Sequence, residues 1–188
     1  MARPKSNDKR NNILAACKVV IARDGLNATT ADIAKEAGIA TGSLFTYFPT
    51  KTDLLNELYV VLKTEMTAAL TDKLSGKNNR EKLHNGWAAW TDWAAINTEK
   101  HVVIELLRNS DQLTKESRAF GDAAIKPVFD LINANVVKLE TNYPNDFLYE
   151  LIDAISIKTM DKMAARPDKA AEYREAGFET VWKIITKG

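Results

Sequence analysis

The chain has little of what most enzymes and secreted proteins rely on. It carries one cysteine, Cys17, which excludes an internal disulfide and points to a reducing, cytoplasmic location. Its only histidines are His84 and His101, and Cys17 lies on a different predicted helix from either. No metal-ligand spacing results, and no nucleophile stands near a base. A glycine-rich phosphate loop is also missing. An enzyme is therefore not expected, nor is a metal or cofactor. No apolar run approaches the roughly 20 residues that span a bilayer, so no membrane partner is expected. The basic opening MARPKSNDKR has no apolar stretch behind it and does not read as a secretory leader. Glycine (8) and proline (5) are scarce among 188 residues, which disfavours a turn-rich sheet protein.

What is present favours an all-α fold. Hydrophobic residues make up 45% of the chain, enough to bury a core, and Ala, Leu, Lys and Glu are abundant. The net charge of +1 is unevenly spread. Residues 1–51 hold eight Lys/Arg against four Asp/Glu, a balance of +4, and the remainder holds 18 against 21, a balance of −3. A basic N-terminal module on an acidic body suits a polyanionic partner at one end.

Helical periodicity divides the chain into about nine segments. Ile13, Leu14, Cys17, Val20 and Ile21 form one stripe over residues 8–24, closed by Gly25. A second helix begins near Thr29, where Thr29 and Asp32 have capping-box spacing. Gly38 permits a sharp turn, and a third helix from about Thr41 is ended by Pro49. Leu44 and Phe48 can face inward together. Thr41, Gly42, Ser43, Phe45 and Thr46 then fall on the outer side or at the exposed N-terminal end, although the pattern alone leaves Phe45 open between core and surface. Thr50 and Asp53 open a long fourth helix over 51–74. Further helices are predicted over 79–96, 98–108, 114–140 (with a kink or split at Pro127), 146–165 and from Pro167 to about 186, with a loop over 142–145.

Two short helices around a tight turn are the layout of a helix-turn-helix. The order and spacing of Ile13-Leu14-Ala15-Ala16, Gly25, Thr29, Ile33-Ala34, Ala37-Gly38-Ile39, Gly42, Leu44, Tyr47-Phe48, Lys51 and Leu54 resemble the TetR family of transcriptional regulators. MARPKS and the region from Tyr59 to Lys63 are further similar to RamR-type regulators of multidrug efflux within that family. The resemblance implies phosphate contacts from Thr29, Tyr47 and Lys51, which set register without reading sequence. Thr29 is equally suited to be only a helix cap. Base reading falls to Thr41, Gly42, Ser43, Phe45 and Thr46, an edge without a cation, where Thr methyls and the Phe45 ring can meet thymine methyls. Arg3 and Lys5, on an N-terminal arm, could add minor-groove contacts.

The expected organisation is an N-terminal three-helix helix-turn-helix domain (residues 1–50) joined by the long fourth helix to a C-terminal helical ligand-binding and dimerisation domain (residues 51–188). In the body, Trp87, Trp90 and Trp93 recur at three-residue steps, either as bulky core or as the wall of an aromatic pocket. Tyr59 and Lys63 could present a phenol and an amine to the same space, with Asn133 and Ile152 as weaker candidates. Lys63 could equally be a surface lysine. Apolar residues cover much of the girth of helices 8 and 9, which suggests a second chain packed against them as a homodimer. Small residues Ala176 and Gly177 would allow close approach there. The expected function is a ligand-responsive dimeric repressor of a palindromic double-stranded DNA operator, released by a small hydrophobic or aromatic effector. The alternative is an architectural or activating DNA-binding regulator with no inducer.

Overall fold

The computed structural model describes residues 4–135 and 145–186, and within these it is all-helical, with no strand. The helices are α1 (Pro4–Asp24), α2 (Thr30–Glu36), α3 (Thr41–Tyr47), α4 (Lys51–Thr71), α5 (Asn79–Ile96), α6 (Thr98–Arg108), α7 (Lys115–Asn135), α8 (Asn145–Ala165) and α9 (Ala170–Ile185). A short 3-10 turn, Pro167–Lys169, precedes α9.

Several boundaries follow from local chemistry. Gly25 (φ 74°) and Gly38 (φ 68°) take the left-handed conformation that ends α1 and turns the chain after α2. Thr29 and Asp32 complete the capping box of α2. Thr50 and Asp53 repeat the same exchange at α4. The Asp53 N–H donates to Thr50 Oγ1 at 3.0 Å, and the Thr50 N–H donates to Asp53 at 2.9 Å.

Some elements differ from expectation. Helix α1 starts at Pro4 rather than near Asp8, because proline has no N–H to lose in a first turn. Lys5 therefore lies in a helical turn, and Arg3 lies outside the described residues. Helix α7 is not split at Pro127. Pro127 and Ala123, four residues earlier, are both exposed, so water can reach the carbonyl that proline leaves without a donor. The end of that predicted helix, to 140, lies outside the described residues, as does most of the loop over 142–145.

The chain forms two compact units. The first comprises Met1–Thr64 with Glu99–Ala123, and the second comprises Glu65–Thr98 with Ala124–Gly188. The boundary expected at residues 50/51 falls inside the first. The first unit's core includes Ile13, Cys17, Val20, Ile21, Ile33, Leu44, Leu54 and Leu55, all fully buried. Burial pushes the Cys17 thiol up to about 12, so it packs as a neutral small side chain. In the same unit Asn56 ties α4 to the α6–α7 connection. Its Nδ2 donates to Gln112 O at 2.9 Å, and its Oδ1 accepts from the Thr114 N–H at 2.8 Å. The second unit's core joins Leu83 and Trp87 of α5 to Ile132, Ile152, Phe178, Val181 and Ile185. Its buried hydroxyls return to their own helices. Thr91 donates to Trp87 O at 2.9 Å and Ser156 to Ile152 O at 2.6 Å.

Candidate nucleic-acid interface and ligand cavity

Helix α3 is a two-sided element. Leu44 and Phe48 are buried, and Gly42, Ser43, Phe45 and Thr46 are exposed, with Thr41 and Tyr47 half-buried. Phe45 is thus a surface ring, 43% exposed. Side chains at Thr41, Gly42, Ser43, Phe45 and Thr46 offer hydroxyls, methyls, one aromatic face and a position without a Cβ. None is charged, so the edge can contact thymine methyls and base-edge acceptors but lacks the guanidinium suited to guanine.

Arg10 holds that helix in place, a role invisible in the sequence pattern. Its Nε donates to Glu57 at 2.6 Å, a second nitrogen pairs with the other Glu57 oxygen, and Nη1 donates to the Tyr47 carbonyl at 2.9 Å. Its guanidinium also lies 4.4 Å from the centroid of the Phe48 ring. One side chain of α1 thereby joins the end of α3 to α4. Asn12, two residues on, donates to Ala37 O at 2.8 Å and covers the end of α2. Both are single polar residues whose partners lie far away in sequence, so only a tertiary structure reveals them.

The three expected phosphate anchors have distinct surroundings. Lys51 is half-buried and donates from Nζ to Leu26 O at 2.6 Å, which leaves two of its ammonium hydrogens for other acceptors. The Thr29 hydroxyl is used twice. It donates to Asp32 at 2.6 Å and accepts from the Asp32 N–H at 3.1 Å. Its one hydrogen would have to leave Asp32 to reach a phosphate. The same bonds hold the Asp32 carboxyl below its ordinary value, so it is ionised at neutral pH. Tyr47 takes part through its backbone carbonyl, as described.

The second unit contains a small apolar cavity, partly open to solvent. Trp87, Trp90 and Ile152 all line it, beside Leu70, Ile132 and Phe178. Trp87 meets Trp90 edge to face at 6.2 Å, and its Nε1 donates to Arg174 O at 2.9 Å. Gly177 gives the Trp87 ring its room: a Cβ there would lie 2.8 Å from Trp87 and 2.3 Å from Thr159 Oγ1. The close approach expected of Gly177 between chains is thus already used within the chain, whereas Ala176 is exposed. Asn133 is exposed and accepts from the Tyr149 hydroxyl at 2.6 Å. Tyr59 and Lys63 are both buried, but in the first unit, and neither lines this cavity. The Tyr59 hydroxyl lies so near Gly121 that a Cβ there would come within 2.3 Å. Burial raises its phenol further above neutrality, so it is uncharged. Trp93 is half-buried and is not among the lining residues.

No group of three or more His, Cys, Asp or Glu side chains gathers as a metal site, and no helix is long and apolar enough to cross a membrane, among the described residues. Residues 13–58 match the family model for bacterial regulatory proteins of the tetR family. The HTH-type transcriptional regulator YvdT of Bacillus subtilis (strain 168) is 26% identical over 183 residues, which cover 93% of this chain and 87% of that protein. A TetR-family transcription regulator from Shewanella sp. PV-4 shares the fold with a TM-score of 0.80 at 25% identity, over 93% of this chain and 96% of that one. LfrR from Mycobacterium smegmatis, solved in complex with proflavine, shares it with a TM-score of 0.65 at 20% identity, over 92% and 94%. These relatives are regulators rather than enzymes, and they do not single out the RamR-type subgroup. Residues 13–58 thus carry a helix-turn-helix of the TetR type, with α3 presenting an uncharged outer edge, and over most of its length the chain is similar in fold to TetR-family transcriptional regulators.

Proposed function

We propose that the protein is a dimeric repressor of a palindromic DNA operator, released when a small hydrophobic or aromatic effector enters the cavity of the second unit. The observation that carries this reading is the exposed edge of α3, held by Arg10, in a chain whose second unit has an apolar cavity. Thr41, Gly42, Ser43, Phe45 and Thr46 meet the bases. Tyr47 and Lys51 meet phosphates, joined by Thr29 where its hydroxyl exchanges Asp32 for a phosphate oxygen. Trp87, Trp90 and Ile152 contact the effector. Tyr59, Lys63 and Asn133, the other ligand contacts expected from the sequence, do not line this cavity, so an effector contact from them would have to lie outside it. The similarity of MARPKS and of the Tyr59–Lys63 region to RamR-type regulators favours a drug-like effector. LfrR, of the same fold, was solved with a small molecule, which is compatible with this reading.

A dimer answers a geometric need, since one seven-residue recognition helix gives little affinity. Two such helices about 34–36 Å apart read successive major grooves on one face of the duplex. Helices α8 and α9 are the proposed interface, because Leu151, Ile157 and Ile184 remain only half-buried and Phe147 and Ala176 are exposed within one chain. An effector acts only through a difference in affinity between two states. A coupling of about 1–3 kcal/mol would weaken operator binding some 5–150-fold. Selection of bound DNA from a random pool with the purified protein should return a palindrome with half-sites one helical turn apart. Recovery of single, unpaired half-sites would overturn the dimeric reading.

A further inference from the structure

Residues 1–51 contain three glycines, Gly25, Gly38 and Gly42, and the last has no internal reason to be glycine. Gly25 and Gly38 take positive φ, where a side chain would be strained. Gly42 does not. It lies inside α3, and a Cβ there would meet nothing within 4 Å. Alanine would be the better helix former at such a position. The gap faces outward. At about 100° per residue, Gly42 and Thr46 fall opposite the buried Leu44 and Phe48. Residues three and four along a helix are surface neighbours, and their side chains lean toward the helix N-terminus. Phe45, 43% exposed, and the exposed Thr46 therefore border the gap at Gly42.

The helix that carries this gap, TGSLFTY, has no Arg, Lys, Asn, Gln, Asp or Glu. In the major groove, guanine is read by paired donors from Arg or Lys, adenine by the amide of Asn or Gln, and cytosine by a carboxylate. Thymine differs from these bases by its 5-methyl group, which is read by apolar contact. We infer that α3 reads thymine, and that the thymine 5-methyl group seats in the gap at Gly42, against the Phe45 ring and Thr46. This inference rests on the reading of α3 as the recognition helix, and it gives each operator half-site a required thymine. An exposed ring gains from covering a methyl group, since both lose apolar surface to water. A glycine weakens a helix, and the gap it leaves here is of use only to a group that approaches from outside.

Duplexes carrying the half-site that the full-length protein selects from a random pool test this. Deoxyuridine placed at one thymidine at a time removes the methyl group and keeps the base pairing. With the wild-type protein, the change at one position should weaken binding about fourfold per half-site, the worth of one buried methyl group. Gly42→Ala fills the gap. It should raise the melting temperature by about 2 °C, because alanine is the better helix former and meets no neighbour. It should also weaken binding to the thymine duplex about tenfold, as overpacking does, and bring the preference for thymine over uracil to one or below. Half-sites without thymine, or uracil tolerated at every position, would overturn thymine reading and leave α3 as the recognition helix. A preference for thymine that survives unchanged in Gly42→Ala would overturn the seat at Gly42. If the full-length protein selects no sequence at all, the recognition reading fails and this inference fails with it.

Discussion

The two units solve packing differently. Around the helix-turn-helix, Ile13, Cys17, Val20, Ile21, Ile33 and Leu44 have no exposed surface, and the polar groups that fix the helix ends are paired: Thr29 with Asp32, Thr50 with Asp53, Arg10 with Glu57 and Tyr47, Asn12 with Ala37. In the second unit, Leu83, Trp87, Ile132, Ile152 and Val181 each keep 5–8% of their surface exposed around a cavity. Close packing with satisfied polar groups specifies one arrangement. A void costs contacts and leaves alternatives near in energy. A surface that must match the spacing of a DNA groove gains from the first design, and a site that must admit a guest gains from the second.

The sharpest way to break this comparison is to delete the same amount of side chain from each region. Leu44→Ala removes a fully buried residue directly beneath the exposed edge of α3. It should cost about 2–5 kcal/mol, because surroundings this dense cannot close over the space. Ile152→Ala should fall at or below the low end of that range, since Ile152 already borders a cavity and makes fewer contacts there. Chemical denaturation of both variants gives the two values. Equal losses would mean that the second core is packed as tightly as the first.

A smaller effect is expected at Lys51, where the comparison meets DNA. Lys51→Ala should weaken operator binding about tenfold, as expected for one charged hydrogen bond. It should also lower the slope of log K against log salt by about 0.9 per protomer. The salt slope decides between two roles, because Lys51 also donates to Leu26 O. If the lysine serves only as that internal tether, stability falls while the slope stays unchanged.

Legibility in the sequence follows the same division. Helices α5 (Asn79–Ile96) and α6 (Thr98–Arg108) run where their periodicity and punctuation place them, and the capping box at Thr29 is present because three-residue spacing is a local property. Both left-handed glycines were equally readable, since no other residue adopts that conformation so cheaply. The inward pair Leu44 and Phe48 followed from helical spacing, but the side on which Phe45 would fall did not. Arg10 and Asn56 are not legible in the sequence, because their meaning depends on partners 47 and 56 residues away. The cavity was partly legible: the tryptophan spacing pointed to Trp87 and Trp90, yet periodicity could not show that Tyr59 and Lys63 belong to the first unit or that Gly177 is filled by Trp87.

The smallest effect tests whether full satisfaction at the DNA-facing end is itself a constraint. The Thr29 hydroxyl and N–H hold the Asp32 carboxyl below its ordinary value. The stability this contributes is complete above the unfolded carboxyl value of about 3.9 and is lost as pH falls through the lower folded value. Asp32→Asn removes that contribution. The variant should melt a little below wild type at pH 7, and the gap should close as the pH is taken below about 4. A gap unchanged by pH would show that the exchange does not stabilise α2 through charge. The same variant has an opposite consequence for function. It removes a negative charge beside the expected phosphate path and loosens the claim on the Thr29 hydrogen, so operator binding at pH 7 should tighten by about two- to fivefold, on the scale of one exposed charge near a phosphate. A less stable protein that binds DNA better would mean that the capping box is a compromise, in which Asp32 secures the helix and competes with DNA for one hydroxyl. Weaker binding would instead show that Thr29 acts purely as a cap, and that holding α2 in place matters more than freeing its first side chain.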